Sequence, residues 1–344
     1  PSVSAFNNGV AELKGFFDNR ATFQRNEINS YFGLGGQVNV TLEVEPEGAG
    51  YIQISTIIPT TLPWTGIYFD DAPVQVTAIP NPGYTFSHWT DNTFIDDESL
   101  IGFLADISAN TTFTANFTGA AVVENPIVIS EINFNNDSTL NAGDWVELHN
   151  ISDVDIYLGG YQFGNEVFYN KYTLPQGTMI PADGFLVLAQ DTAQFKNIHP
   201  DVDNFIGPFV FSLQNEGDSI SLTNVIGNVM TAFRFEDKRP WPYTADGFGR
   251  TMEFPYYFLD ETDPENWEAG CIGGSPGVAF SPCIENPIVE EINYKSSPTE
   301  DAGDWFELYN WSGSLMYLSF WRVRDKNGNT FQIPSGTYIP GGGR

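Results

Sequence analysis

The chain has 344 residues and carries 44 acidic against 14 basic side chains, which gives a formal charge of −30 at pH 7. This charge excludes nucleic acid and anionic membrane surfaces as expected partners. Apolar residues make up 41% of the chain and aromatic residues 15%, so the sequence is too hydrophobic for an acidic disordered tail. The 33 glycines and 22 prolines are dispersed, which predicts short elements separated by turns and a mainly β fold.

No apolar run approaches the roughly 20 residues of a membrane span, and the first residues lack the pattern of a signal peptide. We therefore expect no membrane span and a first residue that is internal to a longer polypeptide.

Residues 1–36 are the one helix-like region. Apolar residues recur there at spacings near three and four, which predicts one or two amphipathic helices ending before a boundary near Gly36. The apolar positions are Leu13, Phe16, Phe17, Phe23, Ile28, Tyr31 and Phe32.

Apolar and polar residues alternate from Val38 to Phe117, which predicts a small β module over residues 37–119. The turn Gly48-Ala49-Gly50, the stretch TAIPNPGYTFSHW and the closing TTFTANF resemble the bacterial internalin-type B-repeat in a divergent form. This resemblance implies a β-grasp-like module. We interpret the aromatic residues of GYTFSHW as core residues rather than a ligand platform.

An internal repeat occupies the rest of the chain. The string ENPIVISEINFNNDSTLNAGDWVELHN begins at Glu124, and ENPIVEEINYKSSPTEDAGDWFELYN begins at Glu285. Further on, LPQGTMIPADG in the first copy matches IPSGTYIPGGG in the second. We therefore predict two copies of one domain, residues 120–281 and an incomplete copy at 284–344.

The first copy resembles the lamin-tail domain of secreted bacterial proteins. It carries the E-I strand, G-D-W-x-E-L-x-N, P-x-G-T-x-I-P, N-E-G-D-S-I-x-L, D-G-x-G-R-T-x-E, D-P-x-N-W and a terminal G-S-P-G. The resemblance implies an immunoglobulin-like β-sandwich in a protein that is secreted, extracellular or held at the cell surface. Short alternating strands between turn signals favour the same fold.

The N-terminal helix resembles the last helix of the spore-coat-protein-H-like (CotH-like) kinases, through FFDNR followed by RNEINSYFGL. Members of that family carry B-repeat and lamin-tail modules after the kinase, which is the order expected here. The family's nucleotide-binding and metal-binding residues lie upstream of this helix, so none of them maps onto this sequence.

The motif G-x-S-x-G, typical of hydrolase nucleophiles, occurs at residues 273–277. It does not fit catalysis, because the oxyanion hole needs the N–H of the residue after the serine and Pro276 has none. We interpret it as a turn. No other pattern indicates a catalytic residue or a bound cofactor, so we expect no enzyme in this segment.

The repeated G-D-W-x-E motif carries two carboxylates, and both occur in each copy. Residues three apart in a strand point to opposite faces, so a shared catalytic pair is disfavoured and a structural role is favoured. The repeated residues are Asp144, Trp145 and Glu147, with their counterparts Asp304, Trp305 and Glu307.

Calcium is the metal that the acidic loops fit best, because hard oxygen ligands cluster at residues 260–265 and 201–204. Neither stretch has the twelve-residue loop of a dedicated calcium site, so we predict solvated loops and assign no metal ligand.

Cys271 and Cys283 are the two cysteines of the chain. They form either a loop-closing disulfide in an exported protein or two unrelated thiols, and we favour the disulfide. It would pin the end of the first copy to the start of the second.

Three Asp-Ser/Thr motifs resemble the O-glycosylation acceptors of exported proteins in Bacteroidota-type bacteria, although chance occurrence explains them as well. The acceptor residues are Ser138, Thr192 and Ser219.

The sequence thus predicts a non-catalytic extracellular or cell-surface segment for structural display, adhesion or assembly. Its partners would be other protein domains or copies of itself, bound through β surfaces, or surface glycans. The alternatives are an accessory part of a CotH-like kinase and a carbohydrate-binding module appended to an enzyme. The candidate sugar platforms of such a module are Tyr161, Tyr169, Tyr256 and Tyr257, although we favour a position in the core for each of them.

The second copy lacks most of its expected strands. We expect either that the natural polypeptide continues past Arg344 or that a neighbouring copy donates strands to it.

Overall fold

The computed structural model describes residues 2–90, 98–104, 106–122, 125–138, 140–281, 287–294, 299, 303–310 and 315–344. The chain forms two compact units, one of residues 1–124, 155–159 and 177–179, and one of residues 125–154, 160–176 and 180–344. The predicted mainly β fold with an N-terminal helix is confirmed. Among the described residues, no helix combines the length and apolarity needed to cross a membrane.

The first unit begins with one helix, α1 (Val3–Phe32). The Ser2 hydroxyl caps its N-terminus, and Gly33 ends it in the left-handed conformation at φ 66°. The apolar stripe that predicts the helix is exposed: no α1 side chain is buried, and Phe16 and Phe17 are 57% and 63% exposed. The spacing of the apolar residues therefore identifies the helix without showing what packs on it.

The B-repeat-like part of this unit is built from two sheets. Its core contains Leu42, Ile52 and Phe113, and Trp89 of the GYTFSHW motif is 2% exposed, with Phe86 packed beside it. One sheet has the order β3-β1-β7-β5 and the other has the order β2-β4-β6. The strands are β1 (Gly36–Glu45), β2 (Gly50–Ile54), β3 (Trp64–Asp70), β4 (Val74–Pro80), β5 (Tyr84–Trp89), β6 (Ile101–Leu104) and β7 (Thr111–Gly119).

The first repeat copy contains twelve described strands and one α-helix. They are β8 (Ile127–Asn133), β9 (Trp145–Asn150), β10 (Ile156–Tyr157), β11 (Gln162–Gly164), β12 (Lys171–Thr173), β13 (Met179–Ile180), β14 (Phe185–Ala189), α2 (Thr192–Ile198), β15 (Phe205–Ile206), β16 (Ser219–Thr223), β17 (Val229–Arg234), β18 (Arg250–Glu253) and β19 (Glu268–Ile272). Short 3-10 turns lie at Tyr243–Ala245 and Pro264–Asn266.

These strands form an immunoglobulin-like sandwich. A six-stranded sheet has the order β15-β14-β9-β8-β18-β19, and a four-stranded sheet has the order β12-β11-β16-β17. Phe233 of β17 contacts Trp267 at 5.2 Å between ring centroids, and Trp267 contacts Phe254, which follows β18, at 5.3 Å. Aromatic packing therefore joins the two sheets.

The outer face of the six-stranded sheet is also covered. Trp145 of β9 is fully buried and contacts Phe195 of α2 at 5.8 Å between ring centroids. Val187 and Ala189 of β14 belong to the same apolar cluster. Because both faces of this sheet are buried, every residue of β8 and β9 is buried.

The second copy repeats the first part of this architecture. Strands β20 and β21 pair as β8 and β9 do, β22 and β25 pair as β10 and β13 do, and β23 and β24 pair as β11 and β12 do. The bounds are β20 (Ile288–Asn293), β21 (Trp305–Tyr309), β22 (Met316–Tyr317), β23 (Arg322–Arg324), β24 (Thr330–Gln332) and β25 (Tyr338–Ile339).

One buried asparagine makes the same hydrogen bonds in both copies. The Asn150 amide donates to the carbonyl oxygens of Ile180 at 3.0 Å and Pro181 at 2.9 Å. The Asn310 amide donates to the equivalent carbonyls of Ile339 and Pro340 at 2.9 and 3.1 Å. The last residue of the G-D-W-x-E-L-x-N motif therefore ties β9 or β21 to the turn after the P-x-G-T motif.

Replacing Asn150 with alanine should destabilise the first copy by about 3 kcal/mol, because the carbonyl oxygens of Ile180, Pro181 and Val154 lose the donor that Asn150 supplies. Urea denaturation followed by tryptophan fluorescence measures this change. The control is Asn228→Ala, which removes an exposed side-chain amide that forms no hydrogen bond to a described residue. Equal denaturation midpoints for the two variants would show that the amide contributes nothing.

Candidate functional site

Three glutamates lie side by side inside the six-stranded sheet. Glu131 of β8 is directly opposite Glu147 of β9 and directly opposite Glu253 of β18. Their exposed fractions are 1%, 1% and 3%. We call these three residues the glutamate row. Like charges placed opposite each other on neighbouring strands repel, and burial adds to the cost, so the row requires compensation.

The first part of this compensation comes from hydrogen bonds to Glu147. The Ser130 hydroxyl donates to Glu147 Oε1 at 2.7 Å, and the Gly277 N–H donates to Glu147 Oε2 at 2.5 Å. The hydroxyl comes from the strand that carries Glu131, whereas the N–H comes from the segment after β19. Both carboxyl oxygens of Glu147 are therefore satisfied inside the protein.

The other two glutamates are held by Thr251 and Ser275. Thr251 Oγ1 donates to Glu131 Oε1 at 2.6 Å, and the Ser275 N–H donates to the same oxygen at 3.0 Å. The Ser275 hydroxyl donates to Glu253 Oε2 at 2.9 Å. Glu131 Oε2 is buried and has no hydrogen-bond partner among the described residues. Ser275 thus bridges two members of the row.

The turn at residues 273–277 has the shape that these bonds need. Gly274 has φ 79°, and a Cβ added to it would lie 2.4 Å from Glu131 Oε1 and 2.8 Å from Thr251 Cγ2. Only glycine lets the backbone pass so close to the carboxyl groups. Because its hydroxyl is bonded to Glu253, Ser275 is part of a turn that covers the row, which agrees with the turn interpretation of G-x-S-x-G.

Burial raises the pKa values of all three glutamates. The pKa of Glu147 rises from 4.5 to about 8, mainly through loss of solvation, and the hydrogen bonds from Gly277 and Ser130 oppose this rise. The pKa of Glu131 rises well above its ordinary value through burial and then through repulsion by Glu253 and Glu147. Glu147 therefore holds a proton at neutral pH, burial disfavours the charged form of all three carboxyls, and the row is enclosed away from any substrate.

The glutamate row is the place where four of the lamin-tail motifs meet. The E-I strand supplies Glu131, G-D-W-x-E supplies Glu147, and G-R-T-x-E supplies Thr251 and Glu253. The terminal G-S-P-G supplies the Ser275 donors. Sequence reasoning considered Glu147 only beside Asp144 and missed the row, although each member belongs to a motif that had been identified.

Asp144 has a separate environment. Its Oδ2 accepts a hydrogen bond from the Leu213 N–H at 2.8 Å, and its backbone oxygen accepts one from the Gln190 N–H at 2.8 Å. Burial, together with repulsion by Asp218, raises its pKa to about 6 against the lowering effect of the Leu213 bond. Asp144 and Glu147 thus have different hydrogen-bond partners and form no shared pair.

The second copy keeps the register of the row without its enclosure. Glu291 of β20 lies opposite Glu307 of β21, as Glu131 lies opposite Glu147. Glu291 is exposed, and Glu307 forms an ion pair with Arg344 at 3.2 Å. Trp305 of the second copy is 39% exposed, whereas the equivalent Trp145 of the first copy is fully buried. Asp304 is exposed.

Cys271 of β19 is disulfide-bonded. Cys283 lies outside the described residues, so the pairing of these two cysteines stays a prediction.

The three candidate glycosylation residues differ in accessibility. Ser138 is exposed, Thr192 is half-buried at the start of α2, and Ser219 is half-buried within β16, which lies between two other strands. Ser138 is therefore the most accessible of the three, and modification at each residue stays a prediction.

The acidic loops considered for calcium use their carboxylates locally. Asp260 accepts from Thr262, Asp263 caps the 3-10 turn by accepting from the Glu265 N–H, and Asp203 pairs with Lys196 at 2.6 Å. Among the described residues, one group of three acidic side chains has oxygens within 4.8 Å of one another, namely Asp70, Asp71 and Asp106. Such clusters are common at protein surfaces, so this one does not by itself identify a metal site.

The four tyrosines considered for sugar stacking are not equivalent. Tyr161 is 1% exposed, so it is a core residue as favoured from the sequence and offers no sugar platform. Tyr257 is half-buried against His149 at 4.4 Å between ring centroids. Burial, and then the nearby carboxyl groups, raise the pKa of Tyr257 to about 12. Tyr169 and Tyr256 are 83% and 41% exposed.

Two family models match the chain. Residues 121–237 match the Lamin Tail Domain. Residues 40–121 match the Divergent InlB B-repeat domain. The lamin-tail match contains Glu131 and Glu147, while Glu253 and the covering turn lie beyond it. Residues 1–36 lie outside both matches, so their resemblance to CotH-like kinases stays a prediction.

No curated protein matches the chain. Among solved structures, a DUF4876 family protein from Bacteroides thetaiotaomicron VPI-5482 is similar at 10% identity and a TM-score of 0.30, over 69% of this chain and 95% of that one. Similarity at this level supports no inference about function.

The glutamate row predicts that the first copy loses stability as pH rises. A folded-state pKa above the unfolded value means that the stabilising effect is fully present below about pH 4.5 and is lost as pH passes through the folded pKa of Glu147, about 8. Urea denaturation between pH 5 and 9 should show a free energy of unfolding that falls by about 1.4 kcal/mol per pH unit for each glutamate titrating.

Glu147→Gln should flatten this pH dependence, because one titrating group is removed while its volume is kept. The matched control is Glu268→Gln on the edge strand β19, which changes an exposed glutamate. If the free energy of unfolding depended on pH in the same way for wild type and Glu147→Gln, the raised pKa of Glu147 would be contradicted.

Gly274→Ala should destabilise the first copy by about 2 kcal/mol more than Gly273→Ala. Both glycines have left-handed φ values, 79° and 86°, but a Cβ at Gly273 meets no atom within 4 Å. The difference between the variants therefore measures the collision of the added Cβ with Glu131 and Thr251. Thermal denaturation measures it, and equal melting temperatures would remove the proposed role of the turn.

Proposed function

We propose that this chain is a non-catalytic extracellular or cell-surface segment of a multidomain bacterial protein, which acts in structural display, adhesion or assembly through its β surfaces. The observation that carries the proposal is how the first copy uses the residues of its lamin-tail motifs. The hydroxyls of these motifs donate hydrogen bonds to the carboxyl groups inside the sandwich, so the motif residues hold the fold together instead of facing a ligand. The matches to lamin-tail and B-repeat domains, which are non-catalytic types, support the same reading.

Strand β3 is the β surface best suited to assembly. It lies at the edge of its sheet and pairs only with β1 among the described strands. Its sequence, WTGIYFD, contains no lysine or proline, and Ile67 is 45% exposed. Natural edge strands usually carry such residues to prevent pairing with another chain. An unprotected edge of this kind suits strand addition from a second copy.

Sedimentation velocity over a range of protein concentrations tests this assembly role. Wild type should self-associate, and Ile67→Lys should weaken that association by about tenfold, because it places a charge on the pairing edge. The control is Thr85→Lys on β5, an exposed position at the opposite edge of the same sheet. A monomeric wild type, or equal association by wild type and Ile67→Lys, would reject assembly through β3.

The non-catalytic part of the proposal has its own measurement. Purified chain should hydrolyse neither ATP nor oligosaccharides above the rate of a heat-unfolded sample. Turnover well above that background would favour the alternative of an enzyme or of a kinase accessory with its own activity.

A further inference from the structure

A polar cleft of about 690 Å³ opens in the first repeat copy, away from the glutamate row. Its walls come from the segment between β8 and β9, the start of α2 and the segment after β15. The volume falls within the roughly 300–1,000 Å³ of small-ligand sites. Amide side chains dominate the lining, which is unusual because ligand pockets are mostly apolar. Asn136, Asn141, Gln190 and Gln194 are among these amides.

Several of these amides are held in place by the protein. Gln190 Nε2 donates to the Phe211 carbonyl oxygen at 3.1 Å and to the Ser212 hydroxyl at 2.8 Å. Asn136 Oδ1 accepts from Asn133 Nδ2 at 2.8 Å. Groups that are already oriented lose little conformational entropy on binding a ligand.

The same residues keep hydrogen-bonding capacity in reserve. Asn136 and Asn141 use their oxygens as acceptors, and their Nδ2 groups donate to no described residue. Gln194 donates through Nε2 to Asp191 at 3.0 Å, and its Oε1 accepts from no described residue. Asp144 uses Oδ2 for the Leu213 N–H, so Oδ1 is left as a further acceptor. The cleft therefore offers both donors and acceptors.

The charge and shape of the cleft restrict the ligand. No lysine, arginine or histidine lines it, and Asp144 and Asp191 do, so anions are repelled. Both Asp191 oxygens accept hydrogen bonds from the first residues of α2. Among the described residues of the cleft lining, Asp144 Oδ1 is then the one carboxylate oxygen left free, and a single such oxygen makes a poor cation site. The rings of Phe134 and Phe209 are each 1% exposed, so they offer no face to a flat aromatic ligand.

We propose that this cleft binds neutral glycans. Neighbouring sugar hydroxyls each donate and accept, which matches fixed amides that present a donor and an acceptor together. Asn136, Asn141 and Gln194 would bond to the hydroxyls of one sugar segment, with Asp144 Oδ1 as the charged acceptor. This binding differs from stacking on exposed tyrosines, and it does not depend on assembly through β3.

An array of neutral oligosaccharides, with sialylated and sulfated glycans beside them, tests the proposal on the full chain. Wild type should bind at least one neutral glycan with saturation, confirmed by isothermal titration calorimetry. Asn141→Ala and Gln194→Ala should each weaken that binding by about tenfold, as expected for lost hydrogen bonds. Thermal denaturation checks that both variants are folded.

The matched control is Asn197→Ala, an exposed amide on the same helix as Gln194 that is not part of the cleft lining. It should bind as wild type does. Binding to no neutral glycan, binding to acidic glycans alone, or binding that neither cleft variant weakens would overturn the proposal. Loss of binding in Tyr169→Ala but not in the cleft variants would assign glycan binding to the exposed tyrosines instead.

Discussion

The first repeat copy depends on placing three carboxyl groups side by side inside a sheet. Repulsion and lost solvation oppose this arrangement and raise the pKa values of the three carboxyls, and three hydroxyls and two backbone N–H groups compensate by donating hydrogen bonds to them. The donors come from β8, from β18 and from the turn after β19. The row can form only when these segments come together, although Glu131 of β8 lies 120 residues before Thr251 and 144 residues before Ser275.

This requirement explains which features the sequence could predict. Strands, turns and the tandem repeat follow from local alternation and from direct comparison of the two copies, so they were found. The row depends on the pairing of β8 with β18 and on a bulge between Ile129 and Glu131 that sets which residues face each other. Local periodicity contains neither fact. The motifs were therefore visible one at a time, while their meeting point was not.

The aromatic residues show the same limit. Spacing at three and four predicts α1 correctly, because helix periodicity is local, yet every side chain of that stripe lies outside the core. For Tyr161 the sequence left a sugar platform open beside the favoured core position, and only tertiary packing, which buries the side chain, decides between the two. Residue type and period thus specify elements better than they specify which face of an element is covered.

The two copies separate the effect of motif from that of burial. Both place a glutamate pair in the same register across a bulged strand pair, and both use the same asparagine to fix the following turn. In the first copy, Glu147 meets a serine hydroxyl and a glycine N–H; in the second, Glu307 meets Arg344. The motif therefore sets strand pairing and register, while the covering segments decide whether the carboxyls form a buried row with raised pKa values or, as Glu307 does, pair with a cation at a half-buried position.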